Sequence, residues 1–255
     1  MVVSVTQKNP SSTKLYLGDC LDVMPSIKDK SIDAIICDLP FGITQNSWDI
    51  VIPFEDLWPH YERIIKDSGV IILNAVQPFS SALVMSNPKL FRYEWVWVKS
   101  KITGVLNAKI MPVRKHETIL IFYKNQPTYN AQGLTLKNTE TKQGGCSTNY
   151  GARNEESYIQ EYENWPRDVL EIPSEGSLTH PTQKPVALCE YLIKTYTNKG
   201  DLILDNCMGT GTTGVAARKL GRDFIGIEKV ADFFEISKFR IEPNILKHAD
   251  IVYIV

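Results

Sequence analysis

Apolar and polar positions follow a repeating order along the 255 residues of the chain. Short apolar runs rich in β-branched residues recur at 14–19 (KLYLGD), 32–38 (IDAIICD), 69–76 (GVIILNAV), 93–99 (YEWVWVK), 117–124 (ETILIFYK), 201–208 (DLILDNCM) and 223–229 (DFIGIEK). Their length and their lack of a polar face predict seven buried strands. Between several of them the spacing is helical, at 54–67, 186–197, 212–220 and 231–241. Alternating strands and helices predict an α/β fold, with a mostly parallel seven-stranded sheet covered by helices on both faces. A chain of this length buries one large core, so residues 1–255 read as a single domain.

The alternation fails at 125–175, which is polar, contains glycine and is interleaved with aromatic residues. A loop of that length inside a compact domain usually has work of its own. Net charge is −1, yet from Lys99 to Arg153 nine Lys or Arg stand against two Glu. Basic charge segregated in the middle of the chain, among turn formers, is the footprint expected of a polyanionic partner. The N-terminus shows no signal-peptide pattern and no apolar run reaches the roughly 18 residues of a membrane span, so a cytoplasmic location without membrane contact is expected. Five scattered cysteines, at 20, 37, 146, 189 and 207, have neither CxxC spacing nor a histidine pair beside them. Neither disulfides nor a metal site is expected.

Two segments carry candidate chemistry. Gly209, Gly211 and Gly214 form G-x-G-x-x-G after one strand and at the start of a helix, with Glu228 ending the next strand. Glycines there let a backbone approach a nucleotide, and the carboxylate can accept from ribose hydroxyls; a purely structural turn accounts for the same residues. Asp38-Leu39-Pro40-Phe41 ends the most apolar strand, where open α/β sheets bind ligands. Its carboxylate and the Pro40 carbonyl can accept hydrogen bonds from an NH2 group whose ring stacks on Phe41. An ordinary strand-ending turn is the alternative.

The segment DLPFG (38–42) resembles the D-P-P-Y/F motif of amino-group methyltransferases, and DNCMGTGTTG (205–214) with Glu228 resembles their cofactor loop and ribose-binding acid. HPTQKP (180–185) and GDCLDVM (18–24) are similar to two further motifs of that family. The order, with the catalytic motif ahead of the cofactor loop and a basic insertion between, resembles the circularly permuted β class of DNA amino-methyltransferases, adenine type. The resemblance implies a Rossmann-like methyltransferase fold, S-adenosyl-L-methionine as cofactor, double-stranded DNA as substrate and 125–175 as a target-recognition insertion. A homodimer and a cognate restriction endonuclease are further partners it suggests.

Carried over by position, Asp38, Pro40 and Phe41 would be catalytic. Asp19 and Cys20 would flank the cofactor's adenine. Glu228 would hold its ribose, and Asp38, Asp205, Met208, Gly209, Gly211, Thr212 and Thr213 would line the rest. His180, Thr182 and Lys184 would lie at the methionine end, Lys184 offsetting the carboxylate. Arg114, Lys115, Lys137, Lys142 and Arg153 are the DNA-contact candidates. Leu39, Phe41, Asn206 and Cys207 depart from the family pattern, but no catalytic atom is lost.

The expected reaction is methyl transfer to the 6-amino group of adenine after base flipping, with 43–49 as a lip over the flipped base. Hydrogen bonds to Asp38 and Pro40 would localise the amine lone pair as positive charge develops. No cysteine follows a proline, which disfavours cytosine C5 chemistry. The cytosine 4-amino group is the alternative target. A nicotinamide-dependent oxidoreductase would explain the glycine loop but not DLPFG, HPTQKP or the basic stretch. An inactive DNA-binding relative is the reading that Leu39 motivates.

Overall fold

The computed structural model describes residues 2–7, 11–142, 157–175, 183–243 and 251–254. Its elements in chain order are β1 (Val2–Gln7), β2 (Thr13–Leu17), α1 (Cys20–Val23), β3 (Ile32–Cys37), α2 (Phe54–Ile64), β4 (Ile65–Ala75), α3 (Phe79–Ser86), β5 (Phe91–Thr103), β6 (Arg114–Phe122), β7 (Thr135–Lys142), β8 (Ser157–Glu163), β9 (Val169–Glu171), α4 (Val186–Tyr196), β10 (Leu202–Asp205), α5 (Thr212–Lys219), β11 (Asp223–Glu228), α6 (Ala231–Ile241) and β12 (Ile251–Ile254). All seven expected strands are present. β1, β9 and β12 join them, so among the described residues the sheet has ten strands instead of seven, in the order β12-β1-β2-β11-β10-β3-β4-β6-β5-β9. β9 is only three residues long, too short for alternation to reveal it.

The central strands β2, β11, β10, β3 and β4 run parallel. Flanking pairs β12–β1, β1–β2, β4–β6 and β6–β5 are antiparallel. Successive residues of β3 and β4 point to opposite faces and both faces are buried, which explains their uninterrupted apolar runs. Ile35, Cys37, Ile71 and Leu73 pack with Leu57, Trp58 and Tyr61 of α2 and with Phe79 and Leu83 of α3. Ala34, Ile36, Val70 and Ile72 pack on the other face with Leu188 and Leu192 of α4, Ala216 of α5 and Phe234 of α6. Each large side chain so buried contributes about 1.5–3 kcal/mol. Among the described residues no helix is long and apolar enough to cross a membrane.

The chain divides into two compact units, 1–129 with 168–255, and Asn130–Arg167. The second is built on an antiparallel pair, β7 and β8. The irregular stretch expected at 125–175 is thus partly regular, and its last residues belong to the first unit, where β9 pairs with β5. Burial does not write an alternating pattern into β7 and β8, since most of their side chains are exposed.

Candidate active site

The sheet reverses its strand order between β3 and β10. Strands β4, β6 and β5 lie on one side of that point and β11 and β2 on the other. Ligands of open α/β sheets bind at such a point, beyond the carboxyl ends of the strands. β3 and β10 are directly paired, Ile203 opposite Ala34 and Leu204 opposite Ile35. This pairing brings Asp38, just past β3, beside Asp205, the last residue of β10, although 167 positions separate them. A cleft of about 420 Å³ opens there, lined by the tetrapeptide 38–41, Gly18–Cys20, the loop 205–210, Thr212, Thr213 and Glu228.

Asp38 belongs to a chain of mostly half-buried charges. Lys184 Nζ lies 2.6 Å from Asp38 Oδ2 and 3.2 Å from Glu117 Oε2. Lys99 Nζ donates to Glu117 Oε1 at 3.0 Å. Burial pushes the Asp38 carboxyl above its ordinary range, against the pull of Lys184. Glu117 is also penalised by burial, but Lys184 and Lys99 outweigh that and hold it below the ordinary range. Both carboxylates in turn outweigh the burial penalty on Lys184 and raise its pKa. Asp38 Oδ1 is closed off from solvent and has no hydrogen-bond partner among the described residues. A buried acceptor left unpaired costs about 1–3 kcal/mol.

The Phe41 ring lies 5.2 Å from Phe79 and has the Lys184 amine 5.7 Å from its centroid. Leu39 is almost wholly buried in the core, so the position that departs from the family pattern serves as an apolar anchor for the turn. Asp49 closes the following loop by accepting from the N–H groups of Gly42, Ile43 and Thr44 at 2.7–3.0 Å. Trp48 in that loop packs edge-on against Phe233 and lines the cleft.

On the other wall, Gly211 sits in the left-handed region at φ 79° and starts α5. Glu228 accepts from Gly209 N–H at 2.8 Å and Val230 N–H at 2.7 Å. Gly18 N–H donates to the Glu228 carbonyl at 2.9 Å, which places Asp19 and Cys20 beside the loop. Asp19 Oδ1 caps α1 by accepting from Leu21 N–H at 3.0 Å. Burial pushes the Asp205 carboxyl up to about 7. Tyr61 OH donates to Asn206 Oδ1 at 2.6 Å, and this buried bond gives Asn206 a reason to stand where the pattern has proline. Arg240 of α6 donates to the Thr210 carbonyl and hydroxyl, both at 2.7 Å.

A family model described as DNA methylase matches residues 32–239, most of the chain. The chain belongs to the DNA methylase family. It is 27% identical to the Type II methyltransferase M1.MboII of Moraxella bovis, over 89% of this chain and 95% of that protein. It is 28% identical to the DNA adenine methyltransferase YhdJ of Escherichia coli strain K12, over 92% of this chain and 84% of that protein. The crystal structure of an M1.HpyAVI–SAM complex superposes with a TM-score of 0.63 at 25% identity, over 90% of this chain and 99% of that one.

In this methylase the expected residues Asp19, Cys20, Asp38, Pro40, Phe41, Lys184, Asp205, Met208, Gly209, Thr212, Thr213 and Glu228 all line the cleft. Gly211 does not line it; it shapes the loop instead. The Lys184 amine lies 2.6 Å from Asp38 and 3.2 Å from Glu117 at the cleft wall. Arg114 and Lys115 are exposed at the start of β6. Lys137 pairs with Glu163 at 3.5 Å inside the second unit. The Lys142 side chain, His180, Thr182, Arg153 and Cys146 lie outside the described residues.

Sequence reading missed Glu117, Lys99 and Arg240, and gave Asp49 no role of its own within 43–49. For Glu117 the signal was present, a carboxylate at the edge of the apolar run TILIF. For Arg240 there was none, since it reads as one more cation on a helix.

A Cβ on Gly211 would stand 2.7 Å from Ile241 Cδ1 and would have to take a positive φ. Gly211→Ala is therefore expected to destabilise the methylase by about 2 kcal/mol. Urea denaturation measures this. A variant as stable as wild type would show that α6 yields at no cost.

Proposed function

We propose that the protein transfers a methyl group from S-adenosyl-L-methionine to the exocyclic 6-amino group of adenine in DNA, after flipping the base out of the duplex. One observation carries the reading. The tetrapeptide carboxylate and the glycine loop, far apart in the chain, line the two walls of one cleft at the switch point of the sheet.

The cleft fits the cofactor. Asp205 is a buried carboxyl with a pKa lifted to about 7, and a cationic amino acid group beside it would satisfy its charge. Open space surrounds the position where a Cβ of Gly209 would be, so a ligand can approach the backbone there. Asp19 and Glu228 flank the loop as acceptors. When bound, S-adenosylmethionine supplies an electrophilic methyl group on its sulfonium sulfur.

The remaining work falls to the protein's own residues. Asp38 and the Pro40 carbonyl accept hydrogen bonds from the amine and favour its pyramidal form as positive charge develops. Lys184 opposes the upward push of burial on Asp38 and fixes its carboxylate. Phe41 offers a ring for the flipped base, and Trp48 stands at the rim of the same cleft. Holding the amine in place for in-line attack would supply the rest of the rate. A thiolate mechanism at a ring carbon gains no support, since the thiols that line the cleft, Cys20, Cys189 and Cys207, are all pushed above the ordinary thiol range.

Adenine is supported by the Asp at the head of the tetrapeptide and by the adenine specificity named for YhdJ. A place beside a restriction endonuclease is supported by the Type II designation of M1.MboII. The test is incubation with tritiated S-adenosylmethionine and unmethylated bacterial DNA, followed by nucleoside analysis and modified-base sequencing. Label in 6-methyladenine at a recurring sequence is expected. Label in 4-methylcytosine would overturn the adenine assignment.

A further inference from the structure

We propose that the hairpin tip joining β5 to β6, residues 102–111, is a wedge that enters the DNA base stack and fills the space a flipped base leaves, with Leu106 leading. This rests on the base-flipping reading above and names the protein element that performs it.

The tip is apolar where a soluble surface is normally polar. Ile102, Val105, Ile110 and Met111 are exposed, and Leu106 is completely so. A contiguous exposed patch of large aliphatic side chains marks an interaction site. The tip also has a fixed shape. Asn107 N–H donates to the Gly104 carbonyl and Ala108 N–H to the Val105 carbonyl, while the Asn107 carbonyl accepts from both Ile110 and Met111 at 2.9–3.0 Å. A tip already folded loses little conformational freedom on contact.

Charge identifies the occupant. From Lys99 to His116 the chain has no Asp or Glu, and Lys101, Lys109, Arg114 and Lys115 are exposed around the apolar tip. The backbone carbonyl of Glu175 accepts from Lys101 Nζ at 3.1 Å. A contact of this patch with its own copy across a two-fold axis would set cation against cation. A nucleic acid duplex offers the complement, phosphates for the cations and a base step for the aliphatic side chains. Leu, Ile and Met are among the residues that proteins insert between base steps.

Position fits as well. Lys101, Thr103, Arg114 and His116 line the mouth of the catalytic cleft, so the tip projects from its rim. Along the chain the tip ends at Met111, six residues before Glu117 and at most about 20 Å from this member of the charge chain.

The test uses the full protein and a duplex carrying the site mapped by modified-base sequencing, with the target base either paired or facing an abasic position. The double variant L106S/I110S is expected to methylate the paired duplex about tenfold more slowly than wild type and the abasic duplex within about twofold, because only the paired target must be unstacked and replaced. Thermal unfolding of this variant should match wild type, since neither side chain is buried. Equal loss on both duplexes, no loss on the paired one, or conversion of a dimer to monomers in sedimentation would overturn the proposal. The labelled nucleoside is read in the same reactions, so an error in the adenine assignment shows there and not in the rate ratio.

Discussion

Asp38→Ala is expected to slow methyl transfer a hundred- to a thousandfold while S-adenosylmethionine affinity stays within a few-fold of wild type. Loss of one preorganised group aimed at developing charge costs about that much in other enzymes. The structure explains why the effect should be confined to chemistry. Glu117 still holds Lys184 at 3.2 Å when Asp38 is gone, so no buried cation is stranded. The glycine loop is fixed by Glu228 and Arg240, neither of which touches Asp38. Single-turnover rates on duplex DNA and isothermal titration with the cofactor separate the two quantities. A wild-type rate would sink the mechanism, and a large loss of cofactor affinity would move Asp38 to the cofactor's side of the cleft.

Lys184→Met should have the next largest effect, a fall of about a hundredfold at neutral pH with the acid limb of the rate profile displaced upward. Burial already lifts the Asp38 carboxyl, and Glu117 and Asp49 push the same way; Lys184 is the main opposing influence. Without it, more Asp38 is protonated at any given pH and loses acceptor strength toward the amine. Activity is then missing at the low end of the range and returns as pH rises through the higher pKa. Wild type should keep its rate to lower pH. Lys184→Arg retains the charge and should restore part of the profile. Initial rates between pH 5.5 and 9 decide this. An unchanged profile with weakened S-adenosylmethionine binding would return Lys184 to the methionine end, as the family resemblance implied.

Much of the candidate site was legible because the residues that line its cleft are of restricted type. A carboxylate before Pro-Phe, and glycines at a strand-to-helix turn, are requirements of backbone and chemistry that leave a local mark. The strands were legible for a similar reason. β3 and β4 are buried on both faces, and full burial writes itself as an apolar run.

Glu117, Lys99 and Arg240 were not legible, because their roles depend on partners 67, 18 and 30 positions away, Lys184, Glu117 and Thr210. A cation that fixes a loop carbonyl looks the same in sequence as one that faces water. β7 and β8 were missed because their side chains have little core to face. β12 forms one sheet edge with β1 next to it, and the sequence could not reveal that the two ends of the chain pair there.

DLPFG and the glycine loop, with their order along the chain, were determined by the sequence alone, since local geometry and reaction chemistry restrict which residues serve there. Tertiary structure decided that the two meet. Parallel pairing of β3 with β10 sets them in one cleft, and only the folded chain shows Lys184 engaged by the Asp38 carboxylate, because charge pairing across 146 positions is a property of the tertiary structure.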